Sequence, residues 1–206
     1  MFEGAGVAIF ALTGALVAAR KGMDPLGFIL LATVTGVGGG TLRELVLGHS
    51  ALWVREPSDV IICTVVALGG WTLAYLRPGV LEGWSGRKLL IWADAAGLSL
   101  FAVVGTLRGL DAGVPVISAV ALGAMTATFG GVIRDVLAGD RPMVLWSRDF
   151  YVTAATAGAT TAALLAGLGL PGLAVMLGGI AAGFGLRAGS MLFGWSFPRL
   201  PGKEGD

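Results

Sequence analysis

Two short patterns hold most of the charge that sits inside apolar sequence: Gly39-Gly40-x-x-Arg43-Glu44 and Gly130-Gly131-x-x-Arg134-Asp135. In each, an arginine and an acid follow a glycine pair by about one helical turn. Charges embedded in apolar helices are costly, and they face a bundle interior or a watery cavity. Glycine lowers the cost of leaving helical geometry. A broken span frees backbone carbonyls and amides, which inside a membrane must face protein or water. Freed carbonyls can replace the hydration shell of a cation. The chemistry these residues offer is the handling of a small ion. The competing reading is close packing, because glycine also lets neighbouring helices approach. Its recurrence beside an Arg-acid pair favours the functional break.

Bond-making chemistry finds no support. The single His49 anchors no nucleophile–His–acid set and excludes a multi-histidine metal site, and the single Cys63 excludes an internal disulfide or a cysteine metal cage. Residues Gly36 to Thr41 (Gly-Val-Gly-Gly-Gly-Thr) lack the lysine of a phosphate-binding loop. The expectation is a non-enzyme with no cofactor and no resident metal. Its small partners would be transported K⁺ or Na⁺ and bound lipid.

The elements that position these charges follow from composition. Hydrophobic types make up 55% of the 206 residues, charged types 13%, and mean hydropathy is +0.84. That is about half the charge of a soluble domain. A net charge of +1 offers no basic patch for nucleic acid. An integral membrane protein made of helices remains.

A spanning helix needs about 20 mostly apolar residues, and the gaps between charges supply them. Span 1 covers residues 4–19, span 2 begins over 25–42, span 3 covers 60–76, span 4 covers 89–107 and span 5 covers 112–133. Residues 150–186 form 37 uncharged residues, which Pro171-Gly172 divides into spans 6 and 7. Glu3 ahead of the first apolar stretch, and Arg20 and Lys21 after it, argue against a cleaved signal. With the N-terminus outside, the cytoplasmic side carries Arg20, Lys21, Arg77, Arg87, Lys88, Arg141, Arg148, Arg187, Arg199 and Lys203, against Arg55 and Arg108 outside. The positive-inside rule then places the C-terminus inside.

The chain also contains itself twice. A shift of 91 residues carries Gly6, Phe10, Ala11, Gly14 and Leu16 onto Gly97, Phe101, Ala102, Gly105 and Leu107. It carries Thr35, Gly39, Gly40, Arg43, Glu44 and Gly48 onto Thr126, Gly130, Gly131, Arg134, Asp135 and Gly139, and Glu3 onto Asp94. Three spans per copy invert the second copy relative to the first. The expected architecture is an all-α integral membrane protein with seven transmembrane helices: two inverted three-helix repeats (1–84 and 85–170), a seventh helix (171–194) and a cytoplasmic tail (195–206). The shift predicts two equivalent ion pairs, Glu3–Arg43 near the outer face and Asp94–Arg134 near the inner. The alternative for the arginines is snorkelling to the interface. Thr35, Thr41, Thr126 and Thr128 flank the glycines, where they either line a pathway or bond back to their own helices. Gly179-x-x-x-Gly183 in span 7 is a close-approach motif suited to a subunit contact.

Seven spans, inverted repeats and the two Gly-Gly-x-x-Arg-acid patterns resemble the prokaryotic trimeric intracellular cation (TRIC) channels over nearly the whole chain. The resemblance implies a homotrimer with one pore per protomer, conducting monovalent cations, mainly K⁺, in the plasma membrane of a prokaryote. It implies that kinks at Gly38, Gly39 and Gly40 in span 2, and at Gly130 and Gly131 in span 5, form the pore waist. Arg43, Glu44, Asp94, Arg134, Asp135 and Glu3 would be its lining or gating charges. Phe129 stands where the first copy has Gly38 and would tighten or gate the second break. Related bacterial sequences with the same paired domain are described as small-amino-acid (glycine) transporters, so a carrier reading stays open beside the channel.

Overall fold

A computed structural model describes residues 2–81, 84–147 and 149–197. The described residues form nine helices: α1 (Phe2–Arg20), α2 (Pro25–Val46), α3 (Leu52–Arg55), α4 (Ser58–Leu76), α5 (Trp84–Asp111), α6 (Val116–Leu137), α7 (Met143–Trp146), α8 (Val152–Gly167) and α9 (Gly172–Phe193). Six of them, α1, α2, α4, α5, α6 and α9, are long and apolar enough to cross a membrane, and α8 is a shorter apolar helix. Large apolar side chains such as Leu26, Ile117 and Leu168 point outward, as they do where the solvent is lipid. Arg148, Arg199, Lys203 and the tail from residue 198 lie outside the described residues.

The 91-residue shift reappears in the coordinates. Adding 91 to the bounds of α2 gives 116 and 137, the bounds of α6. Adding it to α3 gives 143 and 146, the bounds of α7, and the last residues of α1 and α4 fall on those of α5 and α8. The local causes repeat as well. Gly48 (φ 76°) and Gly139 (φ 70°) end α2 and α6 in the left-handed region. There His49 N–H donates to Glu44 O, and Asp140 N–H to Asp135 O, both at 2.8 Å. This is the glycine-closed helix end that satisfies otherwise orphaned carbonyls.

The two copies meet antiparallel. Gly6 lies against the Phe101 ring, Gly97 against the Phe10 ring, and the two rings pack with centroids 5.2 Å apart. Phe10 and Phe101 are repeat equivalents, so the pseudo-two-fold axis passes between them. On α2 and α6, Gly39 faces the Thr126 carbonyl, while a Cβ on Gly130 would stand 2.5 Å from the Thr35 carbonyl. Each copy therefore offers a glycine to the other copy's threonine carbonyl.

This geometry corrects the glycine-broken helices. α2 and α6 remain α-helical through Gly38, Gly39, Gly40, Gly130 and Gly131. The packing reading holds instead: the missing side chains let two backbones touch. Spans 2, 4 and 5 also run past their expected ends, to Val46, Asp111 and Leu137. In α2 and α6 the charged residues Arg43, Glu44, Arg134 and Asp135 stay helical because their side chains find partners inside the protein.

Gly39→Ala should lower the thermal midpoint of the purified protein in detergent, with an overpacking cost of about 1–3 kcal/mol. Gly69 faces open space, so Gly69→Ala should hold or raise the midpoint. Equal midpoints for Gly39→Ala and wild type would refute the close-contact role.

Candidate functional site

Two charge clusters occupy opposite ends of the crossing pair α2 and α6. In the first, Arg43 is fully buried. Its Nη2 donates to Glu3 Oε1 at 2.6 Å and its Nε to Glu44 Oε1 at 2.8 Å. Arg108 Nη2 donates to the other oxygen of Glu3 at 3.0 Å, and His49 Nδ1 stands 3.5 Å from Glu44 Oε2. Gly40 lies beside the guanidinium, at ordinary contact distance: a Cβ there would lie 4.0 Å from Arg43 Nη2. This end is wet. The Glu3 side chain is 18% exposed and that of Arg108 48%. A cleft of about 490 Å³ opens beside them, lined by Glu3, Leu52, Glu56, Asp59, Ile62 and Arg108 among others. Beyond it a narrow space reaches Val37, Gly40 and Thr41 and touches Arg43.

The second cluster repeats the first with drier surroundings. Arg134 is fully buried, and so is Asp94. Arg134 Nη1 donates to Asp94 Oδ1 at 3.0 Å and to Thr13 Oγ1 at 2.9 Å. Its Nε donates to Asp135 Oδ1 at 2.9 Å, and its Nη2 approaches Met143 Sδ at 3.5 Å. The other Asp135 oxygen accepts the Met143 N–H at 2.8 Å, tying α7 to α6. Gly131 is the seat here: a Cβ would lie 3.2 Å from the Tyr151 hydroxyl, 3.6 Å from Asp94 Oδ1 and 3.6 Å from Arg134 Nη2. Asp94 Oδ2 is buried without a hydrogen-bond partner.

The structure thus brings together Glu3 with Arg43 and Asp94 with Arg134, the pairings the repeat predicts. Glu44 and Asp135 join their own neighbouring arginines. Snorkelling is overturned for both arginines, since neither guanidinium reaches the surface. The threonines take the bland role: Thr35, Thr41, Thr126 and Thr128 donate to the carbonyls of Leu31, Val37, Leu122 and Ala124, four residues back. Thr41 also accepts from Trp53 Nε1 at 3.0 Å. Phe129 is half-buried on α6.

Sequence reasoning missed Thr13, Met143 and Tyr151, neutral residues with no signal of their own. It also misplaced Arg187, which stood among the cytoplasmic charges. Arg187 is fully buried on α9, 3.3 Å from Asp149 and 4.9 Å above the Tyr151 ring.

Comparison with known proteins follows the same two-part division. The family pattern described as "Glycine transporter" matches twice, over residues 1–77 and 91–167. The chain belongs to this family. Among its relatives, the UPF0126 inner membrane protein YadS of Escherichia coli K12 is 38% identical over 155 residues, 74% of this chain and 72% of YadS. The UPF0126 membrane protein YvgT of Bacillus subtilis is 34% identical over 206 residues, 94% of this chain and 92% of YvgT. Of solved structures, the TRIC trimeric intracellular cation channel orthologue from Rhodobacter sphaeroides superposes with a TM-score of 0.87 at 45% identity, covering 94% of this chain and 97% of that one. A second TRIC cation channel superposes at 0.83 with 31% identity, over 99% and 98%. This family member is accordingly an all-α membrane protein with the fold of those channels, and its relatives are bacterial membrane proteins.

Removing one partner of a buried ion pair strands the other charge, at about 3–5 kcal/mol. Arg134→Met should therefore destabilise strongly, and Asp94→Asn in the same chain should recover part of the loss. Glu3→Gln should cost less, because water reaches Glu3. Denaturation of the four proteins of the Asp94/Arg134 cycle measures the coupling; additive losses would deny the pair any energetic role.

Proposed function

We propose that the protein is a K⁺-permeable monovalent cation channel. What carries this reading is the likeness along almost the full chain, at 45% and 31% identity, to two TRIC cation channels. On this reading it is a homotrimer with one pathway per protomer, set in the plasma membrane of a prokaryote. The seven spans are α1, α2, α4, α5, α6, α8 and α9, with the N-terminus outside. Sixteen residues give α8 a length of about 24 Å, which a thinned or protein-lined stretch of bilayer accommodates. The two inverted repeats take residues 1–84 and 85–170, and α9 stands outside them. Arg187 lies inside the fold, so the basic excess on the cytoplasmic side falls from ten to nine against two. The basic excess still favours a cytoplasmic C-terminus.

The cleft beside Glu3 serves as the outer vestibule. Glu56 and Asp59 raise the local cation concentration there, and low-dielectric walls focus the field. Arg43 stands at its inner end as an electrostatic plug, and Arg134 does the same at the opposite end. With α2 and α6 in backbone contact between them, conduction requires the glycine crossing to loosen and each guanidinium to swing toward its adjacent acid. Glu44 and Asp135 stay paired with the arginines during such a swing, which keeps its cost low. Asp94 remains as the cation-attracting group at the inner end, and Phe129 as the bulky side chain on α6.

The second reading, a carrier of a small amino acid such as glycine, is favoured by the name of the family. A carrier needs a site exposed to one side at a time, whereas a channel needs a continuous wet path with weak sites.

Planar-bilayer recording of the purified protein under a KCl gradient, with and without glycine, separates the two. Unitary currents reversing near the K⁺ equilibrium potential are expected. A silent bilayer together with glycine uptake into proteoliposomes would replace the channel by the carrier. Asp59→Asn should reduce unitary conductance in about 0.1 M KCl and much less in about 1 M, where the Debye length shrinks from about 10 Å to about 3 Å. An equal effect at both salts would remove the vestibule role.

A further inference from the structure

Past the first helix of each copy, the two halves agree in their helix bounds except at one place. α4 begins at Ser58, whose repeat equivalent is residue 149, yet α8 begins only at Val152. The second copy leaves Asp149, Phe150 and Tyr151 outside the helix, where the first copy has Ser58, Asp59 and Val60 inside it. That non-helical segment brings the Tyr151 hydroxyl beside Asp94 and Arg134, at the point marked by the bare Cα of Gly131. Tyr151 is buried, and the Asp149 side chain is 37% exposed. Tyr151 therefore packs against the inner ion pair, in a segment that reaches the surface at Asp149.

Arg187 lies behind this segment. It comes from α9, the one long helix without a repeat counterpart. Its side chain is fully buried, and none of its three guanidinium nitrogens has a hydrogen-bond partner among the described residues. Its contacts are the Asp149 carboxylate at 3.3 Å and the face of the Tyr151 ring at 4.9 Å. A desolvated guanidinium over an aromatic face is among the stronger cation–π arrangements. The same helix pins the segment again: Phe150 N–H donates to Ser190 Oγ at 2.8 Å, and Ser190 Oγ donates to Trp195 O at 2.6 Å. A buried arginine without hydrogen bonds is expensive. Here that cost is set against holding one ring in place.

We propose that Arg187 is a positioning residue: it clamps Tyr151 over the Asp94–Arg134 pair and keeps that end of the molecule closed to water and cations. Among the described residues the first cluster has no such clamp, and it is correspondingly open. The inference rests on reading the second cluster as one end of the permeation pathway, but its test does not require current. Arg187 does not touch the permeating ion; it acts through Tyr151.

The test is thiol labelling at Thr13, which is buried and bonded to Arg134. In a Cys63→Ala background, Thr13→Cys should react slowly with a charged methanethiosulfonate reagent. Adding Arg187→Gln should accelerate the reaction about tenfold, the equilibrium shift expected for losing one desolvated cation–π contact. Arg187→Lys should restore most of the protection. Tyr151→Leu should give the same acceleration, and combining it with Arg187→Gln should add nothing further. An unchanged rate in Arg187→Gln with a wild-type melting midpoint would overturn the clamp, as would additive acceleration in the double variant. Should Arg187→Gln fail to fold, Tyr151→Leu against Tyr151→Phe decides alone: protection kept by Phe and lost with Leu supports the clamp, and equal rates refute it. Bilayer currents of the same variants report separately. A silent wild type would sink the channel, whereas a conducting wild type whose open fraction ignores Arg187→Gln would sink the clamp.

Discussion

Burying a guanidinium away from water is the constraint on which the rest of the molecule turns. Arginine stays charged at any accessible pH, and its desolvation costs several kcal/mol unless carboxylates and further acceptors surround it. Arg43 and Arg134 are each met by an acid from a different helix and by the acid next in sequence. Neighbours at i and i+1 do not normally face one another on a helix. The long arginine side chain reaches sideways at the end of α2 or α6, so one oxygen of Glu44 or Asp135 takes two of its nitrogens. The helix ends help. Glu3 lies in the first turn of α1 and Arg43 in the last turn of α2, where the helix dipoles favour those signs. Asp94 is the costlier equivalent, because ten residues of α5, from Trp84, precede it and remove that benefit.

The glycine pairs divide the remaining work between two needs. Gly39 and Gly130 face the other copy's backbone, while Gly40 and Gly131 face their own arginines. One residue makes the helix crossing and the next lies beside the arginine, tightly only at Gly131. A lipid-facing bundle gains little from hydrophobic association, so contact of this kind is a main source of cohesion. The same pattern thus sets how closely the two copies approach and where their charges come to rest.

How much of this was visible in the sequence depends on how rare each signal is. Charges are scarce in an apolar chain, so the 91-residue shift aligned Glu3 with Asp94 and Arg43 with Arg134 at once, and the ion pairs follow from that alignment. Six of the spans were legible for the same reason, and α2 and α6 run on where Arg43 and Arg134 find internal partners. Gly39 and Gly130 were visible as a pattern but not as a mechanism. A glycine that breaks a helix and one that admits a neighbouring carbonyl look alike until the neighbour is placed. Thr35 and Thr126 carried the same ambiguity and resolved to backbone bonding. Arg187 was misplaced because it lies at the edge of an uncharged run, where a loop charge and a buried charge are indistinguishable by position.

Inverted repeats supply two equivalent ends, and a membrane does not present equivalent sides. The two copies answer this with few changes. Around Arg43, Leu52, Glu56 and Asp59 leave an open cleft; around Arg134, Met143 supplies sulfur and Thr13 a hydroxyl, and the cluster is buried. Unwinding three residues before α8 puts Tyr151 where the first copy has helix, and α9 adds a cation that the first copy lacks. None of these differences disturbs the crossing at Gly39 and Gly130, which both halves need. Directionality is therefore written at the ends of the bundle, where side chains can diverge, while the symmetric middle is held by backbone contacts that tolerate almost no change.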